Sequence, residues 1–128
     1  MAAATNFVEI GTQFVQHYYQ TFDSNRTGLQ PLYADTSMLS WEDEQVQGVN
    51  NIVQKLVTLN GIKTVRHQVK NVDCQPSPPH NGILVFVTGN IFVDDNQNPL
   101  KFAQTFHLCQ SPQGNWFVQN DMFRLNIG

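Results

Sequence analysis

"GILVFVTGNIFV", residues 82–93, carries two apolar sets of opposite parity, Val85, Val87, Ile91 and Val93 on one and Leu84, Phe86 and Phe92 on the other. Period-two spacing with β-branched and aromatic residues predicts a strand, one face of which covers the protein's own core. The second face has nothing to cover in a small monomer, because an antiparallel sheet normally leaves that side to water. A second copy of the chain, packed sheet to sheet, is the economical answer. Gly89 inside the pattern predicts a bulge or bend, and with it a strongly curved sheet.

Three neighbouring segments share the alternation: "TVRHQVKNVDCQ" before it, then "LKFAQTFHLCQ" and "NWFVQNDMFRLN". In the last of these, Phe117 and Phe123 alternate with Val118 and Met122, so it too is apolar on both faces. The separators "PSPPHN", "DDNQNP" and "SPQG" are rich in Gly, Pro, Asn or Asp, which predicts hairpins and an antiparallel meander.

The first half of the chain has a different period. Phe7, Ile10, Phe14, Val15, Tyr18, Tyr19 and Phe22 recur at three- and four-residue intervals, predicting an amphipathic helix over 6–23 with Thr5 or Asn6 as its N-cap. "DSNRTG" breaks it, a short helical piece around Leu29, Leu32 and Tyr33 follows, and "TSMLSW" reads as a short strand. Val49, Ile52, Val53, Leu56 and Leu59 then resume helical spacing up to Asn60 and Gly61. The predicted class is α+β: a long N-terminal helix and shorter helices packed in a curved antiparallel sheet, a cone that dimerises through its sheets.

With 128 residues and 41% hydrophobic content, one domain spanning 1–128 is expected. Seven basic against ten acidic side chains leave no basic stripe for a phosphate backbone, which argues against nucleic acid. The N-terminal stretch lacks a basic region and a long apolar run, and no segment has the length to span a bilayer, so a soluble, non-secreted protein is expected. Cys74 and Cys109 suggest neither a disulfide framework nor a metal pair and read as reduced, packed thiols. No metal or cofactor motif is present in the sequence.

"SWEDEQVQG", residues 40–48, sets Trp41 against Glu42, Asp43 and Glu44. By residue type alone this is a solvated turn, half of an acid/base site, or a dock for a basic protein surface. "QHYYQTFDSNRTGL", "LYADTSMLSWE", "QGVNNIVQKL", "DCQPSP" and "NDMFRLN", in this order along the chain, resemble the nuclear transport factor 2 family. The resemblance implies a cone-shaped homodimer that carries GDP-bound Ran from cytoplasm to nucleus, concentrated at the pores of the nuclear envelope, and binds Phe-x-Phe-Gly repeats of nucleoporins. It places Trp41 and Glu42 at the rim of an apolar cavity that receives an aromatic residue of Ran, with Asp94 as a second rim carboxylate and His67 close to it. The resemblance implies a further rim acid, and because the turn "DDNQNP" carries extra residues it leaves open whether Asp95 or Asn96 takes that position. Asp43 stands where animal members usually have glycine, and Phe7 where they use Trp at the repeat site. Phe86 and Met122 match positions buried between subunits.

Each position also has a plainer reading. His67, between Val65 and Val69, suits a satisfied core or pocket histidine, and Phe7 suits the packing stripe of its helix. Two other functions compete. Ketosteroid isomerase and scytalone dehydratase use the same cone for catalysis, which needs a buried carboxylate or histidine facing a proton donor. His67, Asp121, Tyr18 and Tyr33 are candidates, but alternation alone does not make them converge. The third class is a nucleoporin-binding scaffold. The expectation is a carrier, not an enzyme.

Overall fold

The computed structural model describes residues 6–79 and 81–126. Helix α1 (Phe7–Ser24) leads through a 3₁₀ turn (Arg26–Leu32) into strands β1 (Tyr33–Trp41) and β2 (Glu44–Gln47). Helix α2 (Val49–Thr58) and a second 3₁₀ turn (Leu59–Gly61) precede β3 (Val65–Ser77), β4 (Gly82–Val93), β5 (Leu100–Gln110) and β6 (Trp116–Asn126). One six-stranded sheet results, in the order β2-β1-β6-β5-β4-β3.

Helix α1 buries Gly11, Phe14, Val15, Tyr18, Tyr19 and Phe22, the stripe that a 3.6-residue period puts on one side. Asn6 occupies the N-cap without a side-chain hydrogen bond, while Thr5 lies outside the described residues. At the other end Asn25 turns extended, its N–H still bonded to Thr21 O at 2.7 Å. Gly11 is required by close approach, since a Cβ there would lie 2.5 Å from Cys74 Sγ on β3. The helix packs on β3 and β4, and its rings meet β5 at Phe106, 5.7 Å from Phe14 and 4.8 Å from Tyr18, and at Phe102, 5.8 Å from Tyr19.

From β3 to β6 the strands pair antiparallel, as their turn-rich separators predict. Three features differ from the sequence expectation. On β6 the register shifts past Gln119, so Val118 and Phe123, which alternation puts on opposite faces, are both buried, and Met122 stays on the outer face. β1 pairs parallel to β6, so the sheet is mixed: Leu39 faces Asp121 and Trp41 faces Phe123. Strand β2 is also additional to that expectation, because "EQVQ" has only Val46 as an apolar residue, and it is held by its hairpin with β1.

The bulge sits in β3, the partner of the strand whose glycine predicts it. The β3–β4 register shifts between Val69 and Asn71, skipping Lys70, while Gly89 lies opposite Val69. Lacking a Cβ, Gly89 admits the Gln68 carbonyl oxygen to a place that a side-chain carbon would occupy. The extra residue reverses the parity of β3. Val65 and His67 pair with the inward Val93 and Ile91, whereas beyond the bulge Val72 and Cys74 face the inward Val87 and Val85.

The outer face keeps an apolar patch. Leu84, Phe86 and Met122 are 42%, 43% and 52% exposed, and Phe86 and Met122 both pair with Thr105 on the strand between them. Cys74 and Cys109 are both free thiols.

Candidate functional site

At one end of the sheet the C-termini of β1, β4 and β6 meet the N-termini of β3 and β5. The parallel β1–β6 pair places Trp41 flat on Phe123, with ring centroids 3.9 Å apart and planes 3° from parallel. From there the aromatic contacts close into a ring: Phe123 to Phe102 at 5.7 Å, Phe102 to His67 at 5.2 Å, His67 to Phe22 at 5.0 Å and Phe22 to Trp41 at 6.3 Å. Phe22, Phe102 and Phe123 are buried, and Trp41 is the half-exposed member.

The His67 side chain is only 1% exposed, so it belongs to the ring and not to the charged rim. Its Nδ1 lies 2.7 Å from Asp23 Oδ1, and its backbone N–H donates to Asp23 Oδ2 at 2.8 Å. Asp23 is a functional candidate that the sequence reading missed. A carboxylate at the end of α1 carries no local signal that it will clamp a strand 44 residues later.

Glu42 and Asp94 are built alike. Both have positive φ, 56° and 51°, a region that residues other than glycine rarely adopt. Both spend one carboxylate oxygen on backbone: Glu42 Oε1 accepts Leu125 N–H at 2.7 Å, while Asp94 Oδ1 accepts Lys63 and Thr64 N–H, each at 2.9 Å. The Thr64 and then the Lys63 N–H hold the Asp94 carboxyl below its usual value. Among the described residues neither acid forms an ion pair, and the second oxygen of each accepts no hydrogen bond. Strain at functional sites is offset by surrounding structure, and here a carboxylate–backbone bond holds each strained residue.

The other acids differ. Asp43 pairs with Arg124 at 3.1 Å, with both side chains mostly exposed, and Glu44 pairs with Lys55. Asp95 is exposed in the turn after Asp94 and makes no ion pair among the described residues. Phe7 is half-buried at the start of α1, and Phe86 and Met122 lie on the outer sheet face.

The enzyme candidates converge more than alternation indicated. Tyr33 Oη donates to Asp121 Oδ2 at 2.7 Å and is free to accept the Tyr18 hydroxyl, whose oxygen lies 3.3 Å from the same Oδ2, while Gln104 Nε2 donates to Oδ1 at 2.7 Å. Burial pushes the Asp121 carboxyl up to about 6, against the downward pull of its donors from Gln104, Tyr33 and Tyr18. Tyr18 and Asp121 expose 1% or less and Tyr33 5%, and Tyr18 and Tyr33 are bonded to each other at 2.6 Å. This is a satisfied polar knot in the core. His67 is not part of it.

Residues 10–125 match the model of the nuclear transport factor 2 domain. The chain is 52% identical to nuclear transport factor 2 of Emericella nidulans, covering 94% of this chain and 95% of that protein. It is 50% identical to nuclear transport factor 2B of Arabidopsis thaliana, covering 91% and 92%. Among solved structures, nuclear transport factor 2 of Cryptosporidium parvum superposes with a TM-score of 0.88 at 54% identity, covering 94% of this chain and 95% of that one. The aromatic mouth, the two anchored carboxylates and the apolar outer face therefore stand on a known scaffold: the chain belongs to the nuclear transport factor 2 family.

Proposed function

We propose that the protein is a nuclear import carrier, moving between cytoplasm and nucleus, that binds GDP-bound Ran at the mouth of the cone and Phe-x-Phe-Gly nucleoporin repeats elsewhere. The observation that carries this reading is the paired construction of Glu42 and Asp94, each with one oxygen fixed by backbone N–H and one uncommitted. A carboxylate held in place before binding loses little entropy when a lysine or arginine arrives, and charges around an apolar centre steer approach and set orientation. Trp41 and the rings behind it supply the apolar centre, with Asp95 adding charge and the Asp23–His67 clamp holding the ring. The exposed Leu84, Phe86 and Met122 support a homodimer through the outer sheet faces. Phe7 is the repeat-binding candidate.

Catalysis is the second reading, favoured by the convergence of Tyr18, Tyr33 and Asp121. A catalytic carboxyl must reach a substrate atom, whereas both Asp121 oxygens are occupied by protein donors and the trio is enclosed. These facts support a binding protein over an enzyme, a choice that fold alone does not make. Retention of purified Ran on the immobilised protein tests the proposal. A carrier keeps the GDP-loaded form and releases the GTP-loaded form, a scaffold is indifferent to the nucleotide, and an enzyme of this fold keeps neither.

A further inference from the structure

The turn that presents Asp94 and Asp95 also forms one wall of a cleft of about 610 Å³ on the outer side of the mouth, with Arg66 and Phe92 on the other wall. Arg66 and Phe92 are register partners on β3 and β4, and the guanidinium carbon lies 4.1 Å above the centre of the Phe92 ring. That stacking fixes the planar group and leaves its edge donors free. Among the described residues the Arg66 side chain makes no ion pair or hydrogen bond, and the residue is exposed. The opposite wall is equally defined: Asn96 N–H bonds Val93 O at 3.1 Å, Asn98 N–H bonds Asn96 Oδ1 at 2.9 Å, and Asp94 is anchored to Lys63 and Thr64. Phe92 is six residues along β4 from Phe86, roughly 20 Å at strand rise, so the cleft lies well away from the apolar patch on the outer face.

We infer that this cleft is a second contact for the same partner and takes a carboxylate-bearing segment of it, with the acid pairing to Arg66 beside the basic residue that meets Asp94 or Asp95. The inference rests on the carrier reading. It gives the footprint both signs of charge within one cleft, and a surface that is basic throughout then meets repulsion at Arg66, which sharpens selectivity. A guanidinium held flat on a ring with its edge exposed suits a carboxylate, which it can bind through two parallel hydrogen bonds.

Calorimetry with GDP-loaded Ran separates the possibilities, because two accounts of Arg66 predict opposite signs. If Arg66 pairs with an acid, Arg66→Ala weakens binding about fivefold and Arg66→Glu about tenfold or more, while Phe92→Leu, which keeps the charge and removes the platform, falls between wild type and Arg66→Glu. If Arg66 only opposes a basic surface, Arg66→Glu binds more tightly than wild type. Tighter or unchanged binding by Arg66→Glu, with wild-type binding intact and circular dichroism unaltered, overturns this inference and leaves the carrier reading standing. No binding of GDP-loaded Ran by wild type overturns both.

Discussion

Glu42 Oε1 accepts the backbone N–H of Leu125 at 2.7 Å, while the Glu42 N–H donates to Phe123 O at 3.1 Å. The residue that faces the proposed partner therefore also ties β1 to β6. Charge and strand anchoring are separable by substitution. Glu42→Gln retains the acceptor for Leu125 and loses only the charge, whereas Glu42→Lys loses both. Glu42→Lys is expected to abolish binding of GDP-bound Ran, a loss of about 2–5 kcal/mol if the pair is desolvated, and to lower stability by roughly 1 kcal/mol because Leu125 N–H loses its acceptor. Glu42→Gln and Asp94→Asn are expected to weaken binding less and to melt like wild type. Calorimetry and thermal melts check both parts, and wild-type affinity in Glu42→Lys would reduce the acidic stretch to a solvated turn.

Asp121 makes stability depend on pH in an unusual direction. Its carboxyl is pushed up to about 6, above the unfolded value of ~3.9. The protonated form is the one that the core favours, so the group's contribution is fully present below about pH 4 and is lost as pH rises through about 6. The difference between the folded and unfolded values corresponds to roughly 2–3 kcal/mol. Asp121→Asn removes this titration, and its amide can still face Gln104 and Tyr33. The change in melting temperature between pH 5 and pH 7.5 is expected to differ between wild type and Asp121→Asn by roughly 5–10 °C, with wild type losing more stability on going to pH 7.5. Parallel melting curves for the two proteins would show that Asp121 ionises as easily folded as unfolded.

Gly89 is expected to tolerate nothing larger. In Gly89→Ala the new methyl meets the Gln68 carbonyl, a backbone atom that moves only if the bulge moves. The expected cost is about 1–3 kcal/mol, read from denaturant midpoints. Gly61→Ala makes the useful contrast: φ is +87° there, but a Cβ has nothing within 4 Å. Its cost should stay near ~1 kcal/mol, since only conformational strain is involved.

Met122→Glu tests the proposed dimer. Met122 is 52% exposed in the single chain, so the substitution leaves the fold of one subunit intact. Against a second apolar face, an unpaired charge costs several kcal/mol. Sedimentation of wild type should show a dimer at micromolar concentration and that of Met122→Glu a folded monomer; a mutant that stays dimeric places the interface elsewhere.

Phe7→Ala is expected to weaken retention on immobilised Phe-x-Phe-Gly repeats and to leave Ran binding nearly intact. Phe7 and Asp23 are at opposite ends of α1, ~24 Å apart by helix rise, and Asp23 is the end that touches the mouth. Phe7 is half-buried against the core, so circular dichroism must accompany the assay. Equal loss of both bindings would indicate unfolding.

The helices, the four-stranded meander and the apolar second face of β4 follow from local spacing, because hydrophobic period and turn composition act over a few residues; on β6 the register shift at Gln119 breaks the alternation, so that only Met122 of the pair Val118 and Met122 faces out. The family was legible for the same reason, in contiguous phrases such as "LYADTSMLSWE" and "NDMFRLN". The mouth could not be read in this way. The parallel β1–β6 pair, the shift of register at Lys70, the Asp23–His67 clamp and the Glu42–Leu125 bond join residues that are far apart in sequence, 83 positions in the last case. Tyr18 and Asp121, 103 positions apart, meet only when α1 lies across the sheet. Alternation states that a residue faces in or out. Which inward residues touch depends on register and curvature, and these are set by the packing of the whole sheet around α1.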